Sequence, residues 1–176
     1  MSKNHAAVLA ILASMDVFPI GQILILLMLA NGAPLLATKL LGEFWARPLD
    51  GGIVLGDGQP LFGATKTVRG VVVAILATAA GAPLVGLGAG TGALVAITAM
   101  GGDLVSSFLK RRIRLAPSSM ALGLDQIPES LVPAIVVRHV LGLSPLDILL
   151  VAVGFFAGEL ALSRILYMLK IRDRPY

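Results

Sequence analysis

The chain has 176 residues, of which 57% are hydrophobic, only 14% are charged and none is cysteine. Soluble domains carry about a quarter of their residues as charged side chains, so this chain has too little polar surface to cover a globule in water. Without cysteine, disulfides and thiolate metal sites are excluded. The net charge of +4 would favour nucleic acid in a soluble protein. Basic loops of membrane proteins more often face the cytoplasm, and we expect no nucleic-acid partner.

The apolar residues gather in runs longer than about 18 residues, the length that crosses a bilayer core, and the mean hydropathy of the chain is +0.91. The first run, residues 6–41, is longer than one straight span needs, and Asp16 and Pro19 interrupt it. It therefore predicts a short interfacial helix at 5–14 and a span at 17–41. A cleaved signal peptide is not expected, because no soluble domain follows the run.

The remainder of the chain predicts four further spans, separated by two polar loops and two short turns. Gly81 and Pro83 interrupt the second span, which neighbouring helices can tolerate. The third span is rich in small residues, which let helices pack closely in lipid. These spans are 68–87, 90–109, 127–142 and 145–169, and the loops are 42–67 and 110–126. The sequence thus predicts an all-α polytopic membrane protein with five transmembrane helices and two cytoplasmic loops, forming a single integral membrane domain over residues 1–176.

The distribution of basic residues predicts the orientation of these spans. Twelve of the fourteen Lys and Arg residues fall on the side that holds both loops and the C-terminus, and the other side keeps Lys3 and Arg138. Such a bias marks the cytoplasmic side. We therefore expect a multi-pass protein of the cell membrane, with its N-terminus outside and its C-terminus and both loops in the cytoplasm.

The third span ends in a polar stripe. Asp103, Ser106, Ser107 and Lys110 recur at helical spacing, so they share one face of the predicted helix. A carboxylate this far inside the helix end is costly in hydrocarbon unless it faces protein or water. An ion pair that closes the helix end is the structural explanation. Two glycines precede the aspartate and let a second backbone or a ligand approach, so we favour a binding site.

Asp125, at the start of the fourth span, is the second carboxylate expected at the cytoplasmic face. It also suits a helix N-cap, a role compatible with metal binding. Two carboxylates that enter one vestibule suit Mg²⁺, which takes a few carboxylates together with substrate phosphates. A nearby basic run suits phosphates, although topology and lipid headgroups also explain such a run, and for Arg114 the two explanations weigh equally. The run is Lys110, Arg111, Arg112 and Arg114.

The first loop ends in a segment that partly matches a phosphate-binding loop. The P-loop pattern requires glycine directly before its lysine, and residue 65 is threonine, so that match fails. Gly63, Lys66 and Thr67 nevertheless stand at the start of a predicted helix, where free N–H groups favour an anion.

Two ionisable residues are predicted deep in the membrane. Glu159 lies near the middle of the fifth span, and Arg138 lies about as deep along the fourth. We expect them to form a structural ion pair, or Glu159 to bond Ser163, because a proton relay would need further ionisable groups leading away from them.

Two motifs make the sequence recognisable. The segment from Gly102 to Arg111, Gly-Asp-Leu-x-x-Ser-x-Leu-Lys-Arg, resembles the signature of the membrane CTP:phosphatidate cytidylyltransferases. The segment from Phe62 to Gly70 resembles the upstream Lys-Thr-x-x-Gly motif of that superfamily. The short chain, the Lys-Arg-Arg run and the Asp125-Gln126 pair are most similar to its archaeal branch, the CDP-archaeol synthases. By motif, the resemblance covers residues 57–130.

This resemblance implies cytidylyl transfer, in which a lipid phosphate attacks CTP and pyrophosphate leaves. The lipid would be 2,3-bis-O-(geranylgeranyl)glycerol 1-phosphate, an isoprenoid ether-lipid phosphate, and the cofactor would be Mg²⁺. The metal-binding acids of the family correspond to Asp103 and Asp125, which together with Lys110 are the expected catalytic residues. The residues expected to bind CTP or the lipid phosphate are Lys66, Thr67, Arg69, Ser106, Ser107, Arg111 and Arg112.

The stretch around Asp125 departs from the bacterial signature His-Gly-Gly-x-x-Asp-Arg-x-Asp. Residues 120–128 lack the histidine and the second aspartate, and Gln126 replaces the arginine. Glu129 stands one place beyond the lost aspartate and is a candidate replacement. These departures favour the archaeal branch.

Two other functional classes were weighed as alternatives. A CDP-alcohol phosphotransferase would carry Asp-Gly-x-x-Ala-Arg and a paired Asp-x-x-x-Asp, and neither pattern occurs at or after Asp57. A small membrane transporter or channel subunit would carry polar residues through the membrane or on its far side, whereas here they concentrate on one side. The oligomeric state does not follow from the sequence.

Overall fold

The described residues of the computed structural model, 17–115, 121, 123–168 and 170, form a helical bundle with no β-strand among them. The predicted interfacial helix at 5–14 and most of the basic tail lie outside these residues. In chain order the helices are α1 (Val17–Leu41), α2 (Val68–Gly81), α3 (Ala89–Arg112), α4 (Gln126–Val136), α5 (Arg138–Leu141) and α6 (Pro145–Met168), with a 3₁₀ turn at Ala82–Val85 after α2. The all-α prediction is confirmed.

Four helical segments are long and apolar enough to cross a membrane: α1, α2 with its 3₁₀ turn, α3 and α6. The predicted fourth span is instead broken at Val137 into α4 and the single turn α5. Helix α4 has 11 residues, about half the length that a bilayer core requires. A fifth continuous span is therefore not confirmed among the described residues.

The end of α3 corrects one predicted boundary. The helix runs to Arg112, three residues beyond the expected end, so the Lys-Arg-Arg run belongs to the helix and not to the loop. Basic side chains in a last turn interact favourably with the helix dipole. The helical register therefore fixes the direction of each side chain, and Lys110 and Arg111 are buried.

Small residues bring the helices into close contact. Gly92 of α3 packs so tightly that a Cβ added there would lie 2.7 Å from the Cβ of Ala82. A Cβ on Gly102 of α3 would lie 2.8 Å from the backbone nitrogen of Glu129 in α4. Close packing of this kind holds helices together in lipid, where apolar contact alone gives little driving force. The core is aliphatic and aromatic, and its completely buried side chains include Ile23, Leu26, Leu27, Val95, Val151 and Phe155.

The loop between α1 and α2 is folded around Asp50. Its carboxylate accepts hydrogen bonds from the backbone N–H groups of Gly52 at 3.0 Å, Phe62 at 2.9 Å and Gly63 at 3.2 Å. Desolvation on burial raises the pKa of Asp50, but these hydrogen bonds together outweigh it, and the pKa lies below its ordinary value. An ionised Asp50 thus draws the two halves of the loop together and holds the segment that leads into α2.

Candidate active site

A cavity of about 330 Å³ opens among α1, α2, α3, α4 and α6. Each of these helices contributes side chains to its wall, together with the segment just before α2. The charged residues that line it are Lys66, Asp103, Lys110, Arg111, Asp125, Glu129 and Glu159. Charge concentrated inside a bundle of apolar helices marks a functional site.

The first ion pair in the cavity joins Lys66 to Asp103. The Lys66 Nζ atom lies 2.6 Å and 2.5 Å from the two carboxylate oxygens of Asp103. Thr67 positions this lysine by capping α2, because its hydroxyl accepts a hydrogen bond from the Gly70 N–H at 3.1 Å. The N-terminus of α2 is therefore held near Asp103, and the anion site predicted at this helix start stays a prediction.

The second ion pair joins Lys110 of α3 to Asp125, with Nζ and Oδ1 2.8 Å apart. Asp125 occupies the N-cap position of α4, but its side chain makes no capping hydrogen bond. Instead, the Gln126 carboxamide oxygen accepts a hydrogen bond from the Gly123 N–H at 2.9 Å and holds the turn. The capping alternative for Asp125 is therefore wrong, and its carboxylate is directed toward the lysine.

Glu129 is the third carboxylate, at the position that the sequence marks as a candidate replacement. It is buried in the first turn of α4, and its carboxylate lies close to that of Asp103 in the cavity. Gly102 allows this contact, because a residue without a Cβ lets the backbone of α4 approach α3 at this level. An acidic side chain one position beyond the missing second aspartate thus lines the cavity.

Glu159 of α6 also lines the cavity, and its predicted ion pair with Arg138 is not formed. Arg138 is exposed in α5, and its carbonyl accepts a hydrogen bond from the Leu143 N–H at 2.8 Å, just before α6 begins. Glu159 lies fourteen residues after Pro145, the first residue of α6, which is about 21 Å along the helix axis. That distance exceeds the reach of an arginine side chain, so the cavity is what explains a carboxylate in the middle of α6.

The structure brings seven of the predicted site residues to this one wall. They are Lys66, Thr67, Asp103, Ser107, Lys110, Arg111 and Asp125. The sequence reasoning did not identify Asn31 of α1, which also lines the cavity. The sequence does distinguish this residue, because Asn31 is the one polar side chain between Ile23 and Ala37.

Two predicted substrate-binding residues, Arg69 and Ser106, are instead engaged in structural contacts. Arg69 is buried and donates hydrogen bonds to the carbonyl oxygens of Gly42, at 2.9 Å, and of Phe44, so it fastens the chain after α1 to α2. The Ser106 hydroxyl is buried and donates to the Asp103 carbonyl oxygen at 3.0 Å within α3. Neither side chain lines the cavity, because each uses its hydrogen-bonding groups on backbone elsewhere.

Arg112, a third predicted substrate-binding residue, also turns away from the cavity. Its guanidinium group pairs with the Asp57 carboxylate at 2.6 Å and donates hydrogen bonds to the carbonyl oxygens of Gln59 and Pro60. It also stacks 5.1 Å above the centre of the Phe108 ring. One residue is a rotation of about 100° around an α-helix, so Arg112 points to the first loop while its neighbour points to the cavity.

The donor atoms of the cavity fit a hard divalent cation. Asp103 and Asp125 present carboxylate oxygens, and each already holds a lysine ammonium group. Among the described residues, no three Asp, Glu or His side chains form a ready metal cage. Mg²⁺ does not require one, since one or two carboxylates together with substrate phosphates suffice. The residues present therefore fit Mg²⁺ that arrives with a nucleotide.

Comparison with known proteins places the chain among archaeal lipid enzymes. The model of the CarS-like family, described as CDP-archaeol synthase, matches residues 85–176. The CDP-archaeol synthase of Methanopyrus kandleri is 36% identical over 142 residues, which cover 74% of this chain and 80% of that protein. The CDP-archaeol synthase of Thermofilum pendens is 29% identical over 154 residues, which cover 84% of this chain and 75% of that protein.

A solved structure with a similar fold is that of an intramembrane enzyme for archaeal membrane lipid biosynthesis. It is 30% identical to this chain and superposes with a TM-score of 0.64. The alignment covers 78% of this chain and 90% of that one. The similarity therefore extends over most of the helical bundle and is not confined to one motif.

Proposed function

The chain belongs to the CarS-like family of CDP-archaeol synthases, and from this we propose that it converts CTP and 2,3-bis-O-(geranylgeranyl)glycerol 1-phosphate to CDP-archaeol and pyrophosphate. As a member of that family it is a membrane cytidylyltransferase of archaeal ether-lipid synthesis. Family membership also removes the alternative of a small transporter or channel subunit. The observation that supports the proposed reaction best is the cavity in which two Lys–Asp pairs meet the N-terminus of α2.

The proposed reaction needs positioning and charge neutralisation more than proton transfer. An oxygen of the lipid phosphate attacks the α-phosphorus of CTP, the bond from that phosphorus to the bridging oxygen breaks, and pyrophosphate leaves with the electron pair. The attacking oxygen is already anionic, so no general base is required. The protein must instead gather cations around several phosphate groups and hold the two reactants in line.

In this proposal, Lys66, Lys110 and Arg111 hold the phosphates. Lys66 and Lys110 now rest on carboxylates, and the more highly charged phosphates compete for them when substrate binds. The guanidinium group of Arg111 suits bidentate contact with phosphate oxygens. Thr67 and Ser107 supply hydroxyl groups, and the first N–H groups of α2 add further donors. All of these groups lie between packed apolar helices, where electrostatic interactions are stronger than in bulk water.

We propose Mg²⁺ as the cofactor, held by Asp103 and Asp125 with Glu129 beside them. When bound, the ion offsets negative charge on the transferring phosphate. The two aspartates belong to α3 and to the start of α4, and the close packing of these elements at Gly102 sets how the carboxylates approach each other. The cavity is proposed to face the cytoplasm, with the N-terminus outside, because the basic last turn of α3 marks that side.

Product formation by the purified protein tests this proposal. With CTP labelled at its α-phosphate, Mg²⁺ and the ether-lipid phosphate in detergent, label should pass into lipid and an equal amount of pyrophosphate should appear. Chelation of the metal should stop both, and ATP and GTP serve as matched controls for the nucleotide. If neither the ether lipid nor a diacylglycerol phosphate becomes labelled, the proposed reaction is wrong. If chelation has no effect, the proposed cofactor is wrong.

A further inference from the structure

The cavity has two chemically different sides. The side formed by α3 and α4 carries the charged groups Asp103, Lys110, Arg111 and Asp125, whereas the side formed by α1 and α6 combines four leucines with the polar residues Asn31, Thr38, Glu159 and Ser163. The aliphatic residues of that second side are Leu35, Leu160, Leu162 and Leu166. A lipid phosphate has the same division, with a charged head and apolar chains joined by a glycerol. The glycerol of such a substrate must therefore lie where the two sides meet.

The aliphatic side begins where α1 and α6 stop touching closely. Leu24 lies against Gly154, and Met28 lies against Gly158, so tightly that a Cβ at either glycine would meet the opposing side chain at 3.1 Å or 3.0 Å. Both contacts advance in the same direction along the chain, so the two helices run parallel. The turns that follow line the cavity. The first polar side chain of α1 after this contact is Asn31.

The Asn31 side chain is held loosely compared with the other carboxamide of the cavity. Its Nδ2 atom donates to the Leu27 carbonyl oxygen of the same helix at 3.3 Å, which uses one of its two N–H groups. Gln126, by contrast, closes the turn before α4 with a 2.9 Å bond from Gly123. A carboxamide in an apolar helix costs free energy unless it finds partners. Asn31 is placed to find one inside the cavity.

The position of Asn31 along α1 matches the glycerol of a lipid phosphate. Pro34 lies against Gly70, where a Cβ would be 3.6 Å away, and Gly70 is three residues after the Thr67 cap. Asn31 is three residues deeper than Pro34, so it lies about 9 Å, the rise of six helical residues, inward from the N-terminus of α2. A phosphate bound beside Lys66 and Thr67 directs its glycerol into this interval.

We propose that the Asn31 carboxamide donates a hydrogen bond to a glycerol oxygen of the lipid phosphate and thereby positions the glycerol of the substrate. This inference rests on the proposed function. An ether oxygen accepts hydrogen bonds and donates none, so a free N–H group is its natural partner. A site built around such a bond discriminates against an analogue that lacks the acceptor, because the donor is then left unpaired.

Steady-state kinetics of Asn31→Ala and Asn31→Ser with each substrate varied in turn test the inference. Loss of one neutral hydrogen bond should lower kcat/KM for the lipid phosphate about 3- to 10-fold and leave the KM for CTP unchanged. A lipid analogue can also be tested in which CH₂ replaces the ether oxygen on the glycerol carbon next to the one that bears the phosphate. With the wild-type protein, kcat/KM for this analogue should be lower than for the true substrate by the same factor. The Asn31→Ala variant should not distinguish the analogue from the true substrate.

Gln22→Ala is the matched control. Gln22 is a buried carboxamide of the same helix, outside the cavity, and donates to the Val85 carbonyl oxygen at 2.6 Å. Its loss should lower thermal stability without changing lipid discrimination. An Asn31 variant that raises the KM for CTP, or that still discriminates against the analogue, would overturn the inference. Wild-type protein that labels no lipid would overturn the proposed function itself, which is a separate and earlier result of the same assay.

Discussion

Lys110 and Arg111 face the cavity, whereas Arg112, the next residue of α3, faces the loop between α1 and α2. The same division occurs in the upstream motif, where Lys66 reaches Asp103 and Arg69 is buried against backbone carbonyls after α1. Each motif therefore supplies one region that carries charge into the cavity and one that clamps the first loop. We name the second region, formed by Arg69, Arg112 and their partners, the loop clamp.

A sequence motif therefore identifies a segment of the chain, but the helical register determines whether each of its side chains faces the cavity or the loop. Consecutive residues of a helix point about 100° apart. Adjacent basic residues in one run can therefore have different roles. Substitutions in the cavity should act on turnover, and substitutions in the loop clamp should act on stability. Paired substitutions in the cavity and in the loop clamp can test whether turnover and stability separate in this way.

Asp103→Asn should have the largest effect. The change removes the negative charge that meets Lys66 and that is proposed to hold Mg²⁺, so kcat/KM should fall by at least about two orders of magnitude. Asp57→Asn is the matched control, because Asp57 pairs with Arg112 in the loop clamp at 2.6 Å. Labelled-CTP turnover measures both variants, and size-exclusion chromatography in detergent checks that they fold. Comparable activity in the two variants would abolish the proposed distinction.

Lys66→Met and Arg112→Met compare two cations directly. Lys66→Met should lower kcat/KM about 10- to 100-fold, since one donor to the reacting phosphates is lost. Arg112→Met should change kcat/KM only a few-fold but lower the melting temperature, because the carbonyl oxygens of Gln59 and Pro60 lose their donor. A turnover assay and a thermal melt on the same preparations separate the two. The opposite pattern would show that Arg112 belongs to the site.

The same residues show how much of the fold and of the candidate site can be predicted from the sequence. Helix positions followed from long apolar runs, and Asp103, Ser107 and Lys110 were predicted to share a face because helical spacing is regular. Arg69 was predicted to bind substrate, and its actual contacts could not be foreseen, since its partners are backbone carbonyl groups that have no sequence signature. The predicted pair of Glu159 with Arg138 is not formed, because hydropathy gives depth in a membrane but not which helices are adjacent. Only packing between helices supplies that information.

Gly102→Ala should have an intermediate effect on both activity and stability. An added Cβ would lie 2.8 Å from the Glu129 nitrogen and closer still to the Pro128 carbonyl group, so α4 must move away. Overpacking of this kind costs about 1–3 kcal/mol, and it also separates Asp103 from Glu129. Gly101→Ala is the control, because a Cβ there meets nothing within 4 Å. Equal thermal stability of the two variants would contradict the close contact of α3 with α4.

Asp50→Asn should have the smallest effect, confined to the loop that delivers Lys66. The pKa of Asp50 is lowered in the folded protein, so its ionised form stabilises the fold above the ordinary value of 3.8, and this contribution disappears as pH falls through the lowered value. The difference in melting temperature between wild type and Asp50→Asn should therefore stay constant from about pH 5 to pH 8 and shrink only under more acidic conditions. The asparagine keeps one acceptor oxygen. If that oxygen takes the place of Oδ2, it retains the hydrogen bonds from Phe62 and Gly63, and turnover should fall only a few-fold. A difference that changes between pH 5 and pH 7 would show that the pKa of this carboxylate lies above its ordinary value, contrary to the prediction.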